Sequence, residues 1–191
     1  MAHGDIKPEN FLVNLDVDVY GCIMTDFGSC VVRGQDRVPT LSPPWNAPEL
    51  NRSSRSLGFE QLRQTDLFSL GLVCIHLLIP SSLLKDEGLW FVRQQQSDSE
   101  WAEFIDLTNR LKQPETIGTA LVRKLTSLLS RCEIPEYHKS LLANLIENVL
   151  LPPNGQRSIP WGSIFRLVND ELSTRRVTPP LSFFLFPNIL T

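Results

Sequence analysis

The stretch Asp66–Leu78 is apolar almost all the way round. A helix without a polar face must be wrapped by other elements, so this stretch predicts a buried central helix with the chain organised around it. Its longest apolar run, Leu67–Ile79, carries Ser69 and His76 and is too short to cross the roughly 30 Å core of a bilayer. Trp101–Leu111, Thr119–Cys132 and Tyr137–Leu150 repeat apolar residues at three-and-four spacing, which predicts amphipathic helices around the central one. A Pro-Pro-Asn-Gly loop at 152–155 then precedes a last predicted helix, Trp161–Leu172. With 191 residues, 42% hydrophobic and 20% charged, the chain is long and apolar enough for one domain with a core, and it is not a disordered chain.

Ahead of the helices, Phe11–Leu15 and Tyr20–Thr25 carry apolar and β-branched residues on either side of Asp16-Val17-Asp18, which predicts a hairpin. Asp16–Gly21 looks like the start of a calcium loop, but Phe27 stands where the bidentate glutamate belongs, so a plain turn is the better reading. Residues 34–56, rich in Gly, Pro, Ser, Arg and Asn, read as loop. Gln94–Ser99 reads as a solvated loop, and Asp66 as the N-cap of the central helix. His76 reads as a satisfied core histidine and the cysteines as small core residues. The tail Leu181–Leu190 is strongly apolar and adds to a core where it docks.

Lys plus Arg is 18 and Asp plus Glu is 21, a net charge of −3, which gives no bulk attraction to nucleic acid or to an anionic membrane. The four cysteines are scattered without a C-x-x-C pair, so neither a zinc site nor a disulfide framework is expected. The first residues are polar and charged, unlike a secretory signal. An intracellular protein, cytoplasmic or nuclear, is the expectation.

The chemistry concentrates in two clusters, His3-Gly-Asp-Ile-Lys-Pro-Glu-Asn10 and Thr25-Asp-Phe-Gly28. The hairpin between them returns the chain to its start, which can bring Asp26 beside Asp5, Lys7 and Asn10. Two carboxylates, an amide oxygen and a lysine suit one task. Mg²⁺ takes hard oxygens and usually one or two carboxylates plus substrate phosphates. A lysine offsets phosphate charge, and a free carboxylate can orient or deprotonate a hydroxyl.

The order H-x-D-x-K-x-x-N, D-F-G, A-P-E, carried here by His3, Asp5, Lys7 and Asn10, by Asp26-Phe27-Gly28 and by Ala47-Pro48-Glu49, resembles the protein-kinase signature set. Thr65–Gly71 looks like the start of that family's central helix. The resemblance covers about residues 3–173. It implies a partial kinase domain over 1–173 followed by an apolar tail, 174–191. The implied fold class is mainly α within a kinase-like α+β fold, a helical lobe with a small β element at the catalytic loop. The implied activity is transfer of the ATP γ-phosphoryl group to Ser or Thr hydroxyls of a protein substrate, with ATP and Mg²⁺ as cofactors. Residue by residue, Asp5 is then the catalytic base, Lys7 a γ-phosphate contact, and Asn10 and Asp26 the Mg²⁺ ligands. Ser42 touches the catalytic loop, Glu49 pairs with a buried arginine for which Arg157 is the candidate, and Asp66 holds the catalytic-loop backbone. His3 and Gly28 complete the structural set. Lys7 favours the Ser/Thr type over the Tyr type.

Two departures qualify the resemblance. Gly4 stands where many kinases have an Arg, which removes the usual partner of a phosphorylated activation loop. None of the ten glycines forms G-x-G-x-x-G, and neither a V-A-I-K lysine nor its partner glutamate precedes the catalytic loop. The N-terminal lobe is therefore expected to be absent, and Lys85, Lys112, Lys124 and Lys139 lie in the helical half and cannot replace its lysine. The alternative reading is a catalytically dead, kinase-like module that binds protein partners through the helical lobe; regulatory protein partners fit either reading.

Overall fold

The structure, a computed structural model, describes residues 1–14, 21–50, 56–93, 96–112, 118–150, 156–158 and 162. The chain separates into two compact units, Met1–Ile159 and Pro160–Thr191, and the second falls outside the described residues apart from Gly162. The expected turn at 16–18, the loop at 152–155, the helix Trp161–Leu172 and the apolar tail also lie outside them.

Strands β1 (Phe11–Asn14) and β2 (Gly21–Met24) form the expected hairpin, antiparallel from Phe11 opposite Met24 to Asn14 opposite Gly21. Residues 34–56 are not all loop. Asp36–Arg37 (β3) pairs with Leu57–Gly58 (β4) in a two-residue antiparallel ladder. A ladder that short has no room for the alternation that marks a strand in sequence.

The central helix is α1, Phe59–Leu78. It begins a full seven residues before Asp66, so Asp66 is an interior residue and not the N-cap. The N-cap is Gly58, whose N–H donates to the Gln61 side chain at 3.1 Å. The mixed composition of its first two turns hides this start. Leu62 packs on Ala2 and Val31, whereas Glu60 and Arg63 pair on the exposed side. Leu62, Phe68, Leu72, Val73 and Ile75 are buried.

Around α1 lie α2 (Ser81–Asp86), α3 (Asp98–Leu111), α4 (Gly118–Arg131) and α5 (Glu136–Leu145). A wider turn, Ile146–Leu150, extends α5. It seats Val149 on Gly71, where an added Cβ would stand 2.4 Å from Val149 Cγ1, so α1 can pass this close only with glycine. Ser97–Ser99 is not solvated loop. Ser97 caps α3 in a reciprocal pair with Glu100, its Oγ accepting from Glu100 N at 3.3 Å and its N–H donating to Glu100 Oε2 at 2.8 Å. The Ser97 hydroxyl, 2.7 Å from Oε2, and the Ser97 N–H both donate to the Glu100 carboxylate and hold it below its ordinary range. Of the cysteines, Cys132 is buried, Cys30 and Cys74 are half-buried, and Cys22 is exposed, which corrects its reading as a core residue. Among the described residues no helix is long and apolar enough to cross a membrane.

His76 is a satisfied histidine, as expected, though half-buried. Its Nε2 accepts from Phe91 N–H at 3.0 Å, and its ring lies against Trp45, Trp90 and Phe91. Burial lowers its pKa to about 3. A folded value below the unfolded value of about 6.5 makes neutral His76 a stabilising group above pH 6.5, and that stability is lost as pH falls toward 3. Between pH 6.5 and 5 the loss is expected to be about 2 kcal/mol. Urea unfolding of His76→Phe across this window should show a flatter acid slope than the wild type; identical slopes would refute the assignment.

Candidate active site

Asp66 reaches from α1 to the chain start. Its carboxylate accepts His3 N–H at 2.6 Å and Gly4 N–H at 2.9 Å. Burial raises its pKa, and the two N–H donors act against that rise. His3 also bonds Thr25 O through Nε2 at 2.9 Å, which ties the first cluster to the strand leading into the second. Ala2 and Val31 exchange backbone hydrogen bonds of 2.8 and 2.9 Å, closing the segment after Gly28 onto the chain start. Gly4 has φ +80°, and a Cβ there would sit 2.5 Å from Ser29 O. The departure from Arg at this position is thus built into the backbone: no side chain fits without moving the loop.

Asp5 is the point of convergence. Lys7 Nζ donates to Asp5 Oδ2 at 2.8 Å, and Ser42 Oγ donates to Asp5 Oδ1 at 2.5 Å. Asn10, buried in the 3₁₀ turn Pro8–Asn10, donates from Nδ2 to the Asp5 carbonyl at 2.8 Å and to Oδ2 at 3.4 Å. Lys7 Nζ lies 3.4 Å from Ser42 Oγ as well. Burial acts to raise the Asp5 pKa, but the Lys7 and Ser42 hydrogen bonds, the Lys7 charge and Asn10 together hold it below the ordinary carboxylate value. Asp5 is therefore ionised at neutral pH.

Asp26 enters through β2. Thr25 N–H donates to Asn10 O at 2.8 Å, and Thr25 Oγ1 to the same oxygen at 3.2 Å, so the base of the hairpin sets Asn10 next to the residue preceding Asp26. Asp26 takes a left-handed backbone, φ 59°, and its Oδ1 accepts Gly28 N–H at 3.3 Å. The Phe27 ring lies 5.3 Å from His3. Amide and carboxylate oxygens are the hard donors that Mg²⁺ takes, and a site with few protein oxygens leaves the other positions to phosphate and water. Among the described residues there is no group of three or more His, Cys, Asp and Glu side chains that could form an all-protein metal cage.

Arg157 meets Glu49 through both guanidinium nitrogens, the Nη2–Oε2 bond being 3.0 Å. It also bonds Gln64 O at 3.0 Å and lies over the Phe68 ring. All ten residues singled out in the sequence make a direct contact with another of the set; Gly28 meets Asp26, and Ser42 meets both Asp5 and Lys7. The sequence marks Thr25 only as the first residue of the second cluster and Lys112 only as a lysine of the helical half, and nothing in it marks Gln64. Thr25 and Gln64 act through a backbone oxygen and a side-chain amide that no motif marks. Lys112, which directly follows the expected helix Trp101–Leu111, is buried, and burial lowers its pKa to about 7.

The protein kinase domain family model matches residues 1–157. The chain belongs to the protein kinase domain family. The match spans the His3–Asn10 loop, the Asp26-Phe27-Gly28 turn, the Ala47-Pro48-Glu49 segment, the central helix and Arg157, so every element of the candidate site lies inside the kinase domain. No solved structure matches the chain.

Proposed function

We propose that this kinase-domain protein transfers the γ-phosphoryl group of ATP to Ser or Thr hydroxyls of protein substrates. The reading is carried by one observation, the convergence of Lys7, Ser42 and Asn10 on the Asp5 carboxylate. Asp5 is ionised and oriented, so it accepts the proton of the attacking hydroxyl. Lys7 stands beside it and screens the charge on the phosphoryl oxygens. Asn10 and Asp26 would hold Mg²⁺, whose charge neutralises the phosphates when it is bound. Asp66 keeps the loop backbone fixed, so that little reorganisation is left for the reaction itself. Resemblance at Lys7 supports Ser/Thr over Tyr.

The 191 residues hold no G-x-G-x-x-G loop, and this chain by itself is expected to label no peptide. The test is the native gene product, isolated from its own cells and given radiolabelled ATP, Mg²⁺ and Ser/Thr peptides. Labelling that disappears in Asp5→Asn is the expected result. Undiminished labelling by Asp5→Asn, or a folded native product that labels nothing, would sink the proposal. The second outcome would favour the module without catalysis. That reading draws on Leu12, Val13, Ile23 and Phe27, large apolar side chains that the hairpin region leaves exposed.

A further inference from the structure

Lys112 caps the C-terminal end of α3 and is only 1% exposed. A buried ammonium ordinarily has a carboxylate partner, because an uncompensated charge is costly away from water. Among the described residues the bonds of Lys112 go to carbonyls instead. Nζ donates to Pro44 O and to Asn46 O, the second at 3.2 Å. The same nitrogen stands over the rings of Phe68 at 5.8 Å and Phe91 at 5.6 Å, whose π faces also attract a cation. The two carbonyls flank Trp45. Trp45 N–H donates to Ser42 O at 2.8 Å, and the Ser42 hydroxyl reaches Asp5 at 2.5 Å. One unbroken path of bonds therefore runs from α3 to the Asp5 carboxylate.

We propose that Lys112 is a positioning residue for the turn Ser42–Asn46, gripping its backbone from the helical side and fixing where the Ser42 hydroxyl meets Asp5. The consequence for phosphoryl transfer rests on the kinase reading; the grip does not. The stem of Lys112 could be replaced by another unbranched side chain, but its three donors could not. Lys112→Met keeps the packing and leaves both carbonyls without their donor, so the turn should loosen while the distant helices hold. Packing alone would predict that Met serves as well as Lys.

The experiment uses the full chain labelled with 5-fluorotryptophan, the Trp45 ¹⁹F resonance being assigned through Trp45→Phe. In Lys112→Met the Trp45 resonance is expected to shift or split, and its backbone amide to exchange about tenfold faster. Leu125 and Leu128 amides in α4 should exchange as in the wild type. Lys112→Arg, which keeps donors, should restore the resonance toward its original position. An unchanged Trp45 signal in Lys112→Met would overturn the proposal, and so would equal acceleration in the turn and in α4. If Lys112→Met does not fold, Lys112→Leu, which also carries no donor, is read by the same two outcomes. No readout involves ATP or transfer, so failure here is distinct from failure of the kinase reading.

Discussion

Glu49→Ala is expected to destabilise the domain by about 3 kcal/mol, roughly twice the effect of Arg157→Met. The asymmetry follows from where the two charges sit. The Arg157 side chain is 5% exposed and that of Glu49 is 40% exposed. Removing Glu49 strands a buried guanidinium that, among the described residues, has no hydrogen-bond partner at Nε and keeps Gln64 O as its acceptor. Removing Arg157 leaves a carboxylate that water can reach, and methionine still covers the Phe68 ring. Urea midpoints by circular dichroism give both values under one condition. Equal losses, or a larger loss for Arg157→Met, would show that the pair is not held as an asymmetrically buried bridge. The chemistry also predicts salt insensitivity, since a bridge buried on one side is poorly screened.

Asp66→Ala should cost about 2–4 kcal/mol, because it leaves the N–H groups of His3 and Gly4 without an acceptor in a buried setting. The value lies below the sum of two lost charge-assisted bonds, since burial of the ionised carboxylate offsets part of what those bonds contribute. In a domain of this size the expected fall in Tm is about 5–15 °C. The loop should suffer first: amides of Gly4 and Asp5 should exchange faster than the global unfolding rate allows. Asp66→Asn is the sharper variant. Both carboxylate oxygens accept N–H donors, and an amide must turn its own N–H₂ toward one of them. Protection at Gly4 in Asp66→Asn equal to that in the wild type would contradict the double-acceptor role.

Much of the site was legible because its residues act locally. His3, Asp5, Lys7 and Asn10 lie within one turn and its flank, and their spacing is enough to place them on one loop. The helices Trp101–Leu111 and Thr119–Cys132 were legible because each has one buried face, which imposes a period on the sequence. The start of α1 was not. Its first turns carry the exposed Glu60, Gln61 and Arg63 and the half-buried Gln64, so the apolar run marks where the helix turns apolar, not where it begins. Asp66 looked like a cap for that reason. Its carboxylate does bind backbone N–H groups, but those of His3 and Gly4, not those of its own helix. The β3–β4 ladder and the α3 cap at Ser97 fall in stretches of turn-forming residues, where composition favours loop and only the pairing partner decides otherwise.

The sequence by itself determined the family, because the motifs of His3–Asn10, Asp26–Gly28 and Ala47–Glu49 stand in one order at short, fixed spacings. It also determined that the chain would be built round one apolar helix, because a helix without a polar face can be stable only when covered. Tertiary structure alone decided three things. Arg157, far along the chain, comes to Glu49. Gly4 cannot carry a side chain, because Ser29 O occupies the place of its Cβ. Lys112, polar in sequence, is drawn inside to hold two carbonyls of the segment that presents Ser42. Each depends on a close approach between segments remote in sequence, and such an approach is set by how the helices and loops pack, which local periodicity does not encode.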